Sequence, residues 1–293
     1  MDILEKVETE LRLRGFSEAT VKTYLFQIDK FVEFMKIQKG GLSIQKSLVS
    51  GEKGDFNFAK VSNREIKAYL SHLISKERKT ASSVNLALSS LRFLFIEVLK
   101  QNVFEGIKSP KIPKKIPTVL TKDEIRRIME TVNNPRHKLL IMVMYGSGLR
   151  VSEAVSLTFN DLDFQDKTGT IRSGKGKKDR NIILSEALVA ELKSYYAERQ
   201  DDPSPYIFNN GEGHITTRQA QRMLAHYAKK AGIKKRVFCH ALRSSFATHL
   251  LESGTDIRVI QELLGHSNLS TTERYTKVSK EQIRKVKSPF DSV

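Results

Sequence analysis

The chain has 293 residues, 39% of them hydrophobic, and its 50 Lys and Arg outnumber its 33 Asp and Glu to leave a formal net charge of +17. This apolar content excludes disorder of the whole chain, and so positive a charge indicates a polyanionic partner. The sequence has no uncharged apolar stretch of about 18 residues, no signal-peptide pattern and one cysteine, Cys239, which together predict a cytoplasmic protein without a membrane span. Because no short cluster of basic residues flanks an amphipathic anchor, nucleic acid is a better candidate partner than an anionic membrane surface.

The first 107 residues are predicted to form four helices, because apolar residues recur there at helical spacing. The helices are predicted at 3–13, around 21–35, at 66–74 and around 84–98. The stretch 40–60, rich in Gly, Ser and Lys, separates the second from the third and is long for a helix connection.

A run with three prolines and four lysines, 108–117, cannot continue a helix and is typical of an extended linker. We therefore predict a helical domain over 1–107, a basic linker over 108–118 and a second domain over 119–293.

The second domain is predicted to mix helices with short strands. Strands are predicted at 162–165, 168–172 and 180–184, with Thr168-Gly169 as a turn. Helices are predicted at 121–132, 135–145, 149–157, 185–199, 216–231, 241–253, 256–264 and 271–276. The predicted fold is mainly α with a small β-sheet in the C-terminal domain.

Positive charge is concentrated after the first domain. Residues 1–107 hold 17 Lys and Arg against 13 Asp and Glu, a net charge of +4, and the rest of the chain carries +13. Two basic domains joined by a basic linker suggest a clamp around a duplex. A lysine-rich solvated surface is the simpler alternative.

An arginine follows a glycine turn in Gly148-Leu149-Arg150-Val151-Ser152-Glu153. Breaking a phosphodiester without a metal requires a nucleophile, cations on the non-bridging oxygens and an acid for the leaving oxygen. Arg150 is predicted in the first turn of a helix, where backbone amides also favour an anion, and Glu153 lies on the same face to orient it. Taken alone, the segment is better explained as a surface ion pair.

A basic hairpin tip is predicted between the last two strands, in Gly174-Lys175-Gly176-Lys177-Lys178-Asp179-Arg180. A lysine there can reach a DNA groove and act as a general acid. A solvated turn or a plain phosphate contact by Lys177 or Lys178 explains the segment as well.

Two histidines, an arginine and a tyrosine complete the candidate chemistry. His240 and Arg243 lie one turn apart at a helix start, and His266 follows a helix that ends at Gly265. Tyr275 lies on a short helix predicted from a capping box, Ser270-Thr271-Thr272-Glu273. Taken singly, such a histidine is more often a cap and such a tyrosine a packing residue; His249, further along the helix, is assigned to packing.

Together these segments resemble the tyrosine recombinase (phage integrase) family, most closely the Xer-type recombinases that resolve chromosome dimers. The resemblance covers 120–280, and the helical first domain resembles the family's SAM-like core-binding domain. It implies an α+β catalytic domain in which Tyr275 is the nucleophile and forms a 3′-phosphotyrosyl link. Arg150 and Arg243 would grip the scissile phosphate, and His266 would add a hydrogen bond.

The resemblance also assigns the proton transfers. Lys175 would protonate the leaving 5′-oxygen, His240 would assist proton transfer at the tyrosine, and Glu153 would have a supporting role. Neither ATP nor a metal is required, so no cofactor is expected. One departure is Ser244, which stands where such proteins usually carry a second histidine, and we expect altered packing there.

Polar helix faces supply candidate DNA contacts. Arginine suits guanine and glutamine suits adenine in the major groove, although a solvated polar face explains each residue equally well. The candidates are Arg218, Gln219 and Arg222 in the second domain and Lys22, Gln27, Ser83, Asn85 and Arg92 in the first.

The resemblance further implies an assembly. The expected partner is double-stranded DNA with paired recombination half-sites, bound by a homo-tetramer that is a monomer or dimer when free. The tail 280–293 would dock on the neighbouring subunit, and a second recombinase or a regulatory protein could take part. A mobile-element integrase, a type IB topoisomerase-like relaxer and a non-catalytic DNA-binding protein are the alternatives.

Overall fold

The computed structural model describes residues 2–40, 56–113, 117–172, 179–199 and 202–265. The chain divides into two compact units, Met1–Lys114 and Lys115–Val293.

The first unit is helical, with each helix beginning where a polar side chain satisfies its first amides. Asp2 and Glu5 form a capping box at the first helix, Ser62 and Glu65 form one at the third, and the Thr80 hydroxyl caps the fourth. A short π-helical segment, Phe93–Val98, continues the fourth helix. The helices are α1 (Ile3–Leu13), α2 (Glu18–Gly40), α3 (Asn63–Ser75) and α4 (Ala81–Arg92).

The core of the first unit is rich in aromatic side chains. Phe31 is fully buried and meets the rings of Phe56, Tyr69 and Phe95 edge to face, an arrangement that adds to the free energy of burial. The stretch Ala81–Val98 is apolar and long enough to cross a membrane by length and composition, but 44% of it is buried. Its inward face packs in this core, which accounts for its apolar composition.

The second unit mixes short helices with a three-stranded sheet, so the mainly α fold predicted from the sequence is confirmed. Its helices mostly begin and end within about two residues of the predicted bounds. They are α5 (Lys122–Thr131), α6 (Pro135–Gly146), α7 (Val151–Val155), α8 (Glu186–Ala197), α9 (Thr217–Lys230), α10 (Cys239–Glu252) and α11 (Ile257–Leu264).

The sheet is antiparallel, in the order β1 (Leu162–Asp163), β2 (Thr168–Ile171), β3 (Arg180–Ile183). The prediction of a turn at Thr168-Gly169 was wrong, because both residues pair within β2. The turn occupies 164–167, where the Asp163 carboxylate accepts hydrogen bonds from the backbone amides of Gln165 and Asp166 and Lys167 adopts a positive φ. The glycine at 169 has another role: a Cβ there would lie 2.9 Å from the Asp161 carbonyl oxygen.

The core of the second unit packs α6 and α10 against the neighbouring helices and the sheet. Leu140, Ile141 and Met144 of α6 are buried, as are Ala241 and Leu242 of α10. A smaller apolar cluster, formed by Phe246, Ala247, Ile260 and Leu264, joins α10 to α11. These contacts bring the start of α7, the start of α10 and the end of α11 together.

Candidate active site

The glycine turn before α7 is formed by Gly148, whose φ of +62° favours a residue without a side chain. A Cβ at this position would lie 2.4 Å from the Phe246 ring, so α10 packs directly on the turn. Arg150 was predicted in the first helical turn but is the N-cap residue of α7. Its backbone amide donates to Glu153 Oε2 at 2.7 Å and its guanidinium donates to Oε1 at 2.6 Å.

Glu153 is the centre of a group of arginines. Besides Arg150, it accepts two hydrogen bonds from Arg180, of 2.9 and 2.6 Å, and the Arg243 guanidinium lies 4.0 Å away. Its side chain is only 9% exposed, so this is no surface ion pair. Burial alone would raise the pKa of Glu153, but hydrogen bonds and charge from Arg180, aided by Arg150, lower it to about 2.

Arg243 is fully buried on α10, with its guanidinium near Glu153. It donates to the carbonyl oxygens of Gly148, at 2.6 Å, and Leu264. Its two backbone contacts fix the guanidinium between the turn before α7 and the end of α11.

Three arginines bind three consecutive carbonyl oxygens at the end of α11. Arg180 Nε donates to Leu263 at 3.0 Å, Arg243 donates to Leu264, and Arg150 donates to Gly265 at 3.4 Å. The last carbonyls of a helix have no partners within it and carry partial negative charge, so they suit guanidinium groups.

The charges of this cluster do not balance. Within the described part of the chain, Arg150, Arg180 and Arg243 bring three positive charges to the one carboxylate of Glu153, and two of these arginines are almost completely buried. Arg150, 25% exposed, is the accessible one. A partly buried cluster with a net charge of +2 is a favourable site for an anion.

His240 lies at the start of α10 and is exposed to solvent. Partial burial of the ring, together with the positive charges of Arg243 and Arg150, lowers its pKa. The imidazole is therefore neutral near pH 7 and able to accept a proton.

Two further positions on α10, Ser244 and His249, were expected to affect packing only. His249 does more, since its Nδ1 shares a hydrogen bond of 2.8 Å with the Tyr145 hydroxyl. Ser244 is 1% exposed, and within the described part of the chain its hydroxyl has no hydrogen-bond partner. The adjacent Ser245 hydroxyl donates to Ala241 and accepts from the Leu120 amide.

The candidate DNA-reading residues divide into exposed and engaged side chains. Gln219 caps α9, Asn85 donates to the Pro110 carbonyl and Arg92 donates to the Ile107 carbonyl. Gln27 is half-buried. Side chains that remain exposed are Arg218, Arg222, Lys22 and Ser83.

Several predicted site residues lie outside the described residues. They are Lys175, Lys177, Lys178, His266 and Tyr275, together with the helix predicted at 271–276 and the tail. The structure brings Arg150, Glu153, His240 and Arg243 together. The catalytic roles of all the predicted site residues stay predictions.

Arg180 is the site residue that the sequence interpretation missed. It was placed with the solvated residues of the basic hairpin, yet its side chain is 4% exposed. Residues alternate along β3 between buried and exposed, starting with Arg180 itself. That alternation, with Ile182 at the next buried position, was the available signal that Arg180 faces inward.

Comparison with known proteins agrees with this architecture. Residues 118–282 match the phage integrase family, and residues 3–105 match the phage integrase N-terminal SAM-like domain. Tyrosine recombinase XerA of Pyrococcus horikoshii is 38% identical over 97% of this chain and 91% of its own length.

Solved structures are similar over nearly the whole chain. A crystal structure of XerA recombinase has a TM-score of 0.53 at 31% identity, covering 96% of this chain and 95% of that one. XerH site-specific recombinase bound to its difH substrate before cleavage has a TM-score of 0.68 at 25% identity, covering 96% and 82%. The buried arginines, the helical first unit and these similarities together place the chain in the phage integrase family of tyrosine recombinases.

Proposed function

We propose that the protein cuts and rejoins DNA strands at specific sites through a covalent phosphotyrosine intermediate. The observation that carries the proposal is the arginine cluster around Glu153, which has a net charge of +2 and keeps Arg150 accessible. A scissile phosphodiester bears one negative charge on its non-bridging oxygens, which an arginine can bind with paired hydrogen bonds. The accessible Arg150 is assigned to that phosphate directly. Arg243, whose side chain is 1% exposed here, is assigned to it from the family resemblance, and its guanidinium would have to become accessible when DNA binds.

The chemical step exchanges one phosphate ester for another. The Tyr275 oxygen attacks phosphorus, forming an O–P bond while the bond to the 5′-oxygen breaks. Lys175 gives the leaving oxygen its proton. The tyrosine proton passes to His240, whose lowered pKa keeps the imidazole neutral and therefore free to accept it. His266 adds a hydrogen bond to the phosphate. Because the ester bond energy is retained, a 5′-hydroxyl of another strand can reverse the step without ATP.

The proposal is tested with a nicked duplex that traps the covalent intermediate, carrying Xer-type half-sites. Wild-type protein should form a slowly migrating covalent band in excess EDTA, and Tyr275→Phe should bind the duplex equally well without forming that band. Adduct formation by Tyr275→Phe would refute the assignment of the nucleophile. Loss of the wild-type band in EDTA would refute metal-independent cleavage.

The general acid has its own test. A duplex with sulfur at the 5′-bridging position releases a thiolate, which leaves without a proton. Lys175→Ala should be slow on the normal duplex and recover on the sulfur duplex. A variant equally slow on both would refute the role of Lys175 as the acid.

For the biological role we propose resolution of chromosome or plasmid dimers by a homo-tetramer on two sites. The similarity to recombinases of the Xer group supports this, and exposed Arg218 and Arg222 on α9 are available for DNA. A plasmid with two directly repeated sites should be resolved into two circles, and the synaptic complex formed by Tyr275→Phe should contain four subunits. Relaxation of a supercoiled plasmid without a site would instead favour a topoisomerase, and insertion of a single-site circle a mobile-element integrase.

A further inference from the structure

Arg180 makes more contacts inside the arginine cluster than expected for a residue of a solvated hairpin. Its two terminal nitrogens donate to the two oxygens of Glu153, at 2.9 and 2.6 Å, and its Nε donates to the Leu263 carbonyl. With 4% of its side chain exposed, it presents almost no surface to a ligand. Any effect on the reaction must pass through its neighbours.

The Glu153 carboxylate links Arg180 to Arg150. Each of its oxygens accepts one hydrogen bond from Arg180, and the same two oxygens accept from the Arg150 guanidinium and backbone amide. A paired guanidinium–carboxylate contact fixes the plane and rotation of the carboxylate. The direction in which Arg150 is held therefore depends on Arg180.

Arg180 also fixes the end of α11. Gly265 adopts a φ of +57°, and a Cβ there would lie 2.7 Å from Arg180 Cδ, so the stem of the arginine packs on this glycine. Its Nε binds the Leu263 carbonyl, and Arg150 binds the Gly265 carbonyl two residues later. The carboxylate and the helix end are thus both shared between the two arginines.

We propose that Arg180 is a positioning residue for the phosphate-binding Arg150, a role that rests on the function proposed above. By holding both oxygens of Glu153, Arg180 keeps Arg150 in a single-oxygen side-chain contact and leaves its charge available to the phosphate. Without Arg180, the carboxylate can turn and bind Arg150 with both oxygens, and the net charge of the cluster falls from +2 to +1. The chemical step suffers, whereas DNA affinity changes little.

The test uses Arg180→Met, which keeps the length of the stem and removes the guanidinium. Single-turnover cleavage of the trapping duplex should slow by about 100-fold, the scale of a displaced catalytic group, while the dissociation constant for DNA changes by less than about threefold. Arg180→Lys, which restores the charge without the fork, should recover part of the rate.

A second substrate separates positioning of Arg150 from general damage to the fold. A methylphosphonate at the scissile position carries no negative charge and needs less help from Arg150. On this duplex the defect of Arg180→Met should shrink to less than about tenfold, as should that of Arg150→Ala.

Arg199→Met is the matched control. Arg199 is also a largely buried arginine, paired with Asp202 and with the carbonyls of Tyr206 and Ile207, and it has no bond to Glu153. We expect Arg199→Met to lower the melting temperature and to leave the ratio of the two substrates unchanged.

The outcomes are separable. If wild-type protein forms no adduct on either substrate, the proposed function fails. If wild type cleaves but Arg180→Met is slowed equally on both substrates, or behaves as Arg199→Met does, Arg180 is only structural and the inference is overturned. Should Arg180→Met fail to fold, the same comparison is made with Arg180→Lys, whose defect must also be smaller on the methylphosphonate.

Discussion

Among the described residues, the two units of the chain differ in whether they bury charge. In the first unit, ion pairs such as Arg12–Glu8 and Lys30–Glu33 join side chains that are 36–62% exposed, around a core of aromatic and aliphatic residues. In the second, Glu153, Arg180 and Arg243 are at most 9% exposed. Burying charge is unfavourable unless partners compensate for it. Among the described residues such burial occurs in the second unit, and a buried cluster of this kind is a candidate functional site.

The largest effect should come from breaking the buried pair. Glu153→Ala removes the carboxylate that the buried Arg180 guanidinium binds and should lower the free energy of unfolding by about 3–5 kcal/mol. The same substitution at Glu33, which is 52% exposed, should change it by less than about 1 kcal/mol. Because the chain has no tryptophan, urea denaturation is followed by circular dichroism. Equal losses for the two variants would contradict the contrast between the units.

Acid should test the same contrast without removing a side chain. The pKa of Glu153 is about 2 in the folded protein, below its ordinary value of 4.5, so the ionised carboxylate stabilises the fold above pH 4.5. That contribution, about 3 kcal/mol, is lost as pH falls from 4.5 toward 2. Denaturation across this range should show a steeper loss for wild type than for Glu153→Gln. Parallel curves would mean that Glu153 titrates normally.

Two glycines with positive φ sharpen the comparison of packing. Gly148→Ala combines left-handed strain with a Cβ placed 2.4 Å from the Phe246 ring, and should destabilise by about 2–4 kcal/mol. Gly15→Ala in the first unit has the same strain but nothing within 4 Å, and should lose about 1 kcal/mol. Thermal unfolding of both variants measures the difference, and Gly148→Ala should also reduce cleavage. A Gly148→Ala no worse than Gly15→Ala would mean that the ring moves aside without loss.

The smallest effect concerns two adjacent serines on α10. Ser245→Ala removes hydrogen bonds to Ala241 and Leu120, and should destabilise by about 1–2 kcal/mol. Ser244→Ala should change stability by no more than about 0.5 kcal/mol, because among the described residues its buried hydroxyl has no partner. The urea midpoints of the two variants measure this difference. A large loss of stability in Ser244→Ala would reveal a hydrogen bond from Ser244 to the rest of the chain.

Local patterns in the sequence were enough for the helices and the family, but not for contacts between distant segments. Capping residues such as Thr121 and Asp256, and apolar spacing, locate most helices within about two residues. The turn after β1 was predicted at Gly169 because glycine is common in turns. The actual turn lies earlier, where the Asp163 side chain accepts the hydrogen bonds of the turn amides. The Arg150–Glu153 contact spans three residues and was predicted, whereas Arg180 meets Glu153 across 27. The inward direction of Arg180, which follows a lysine-rich hairpin, depends on contacts with segments distant in the sequence.

The three consecutive carbonyls that close α11 imply a constraint on its length. One residue turns an α-helix by about 100°, so a single insertion or deletion within Ile257–Leu264 would swing all three acceptors away from Arg180, Arg243 and Arg150 together. Substitutions on the solvent side of that helix, such as at exposed Val259, leave the register intact. Among variants of this protein, α11 should therefore change in composition far more readily than in residue count.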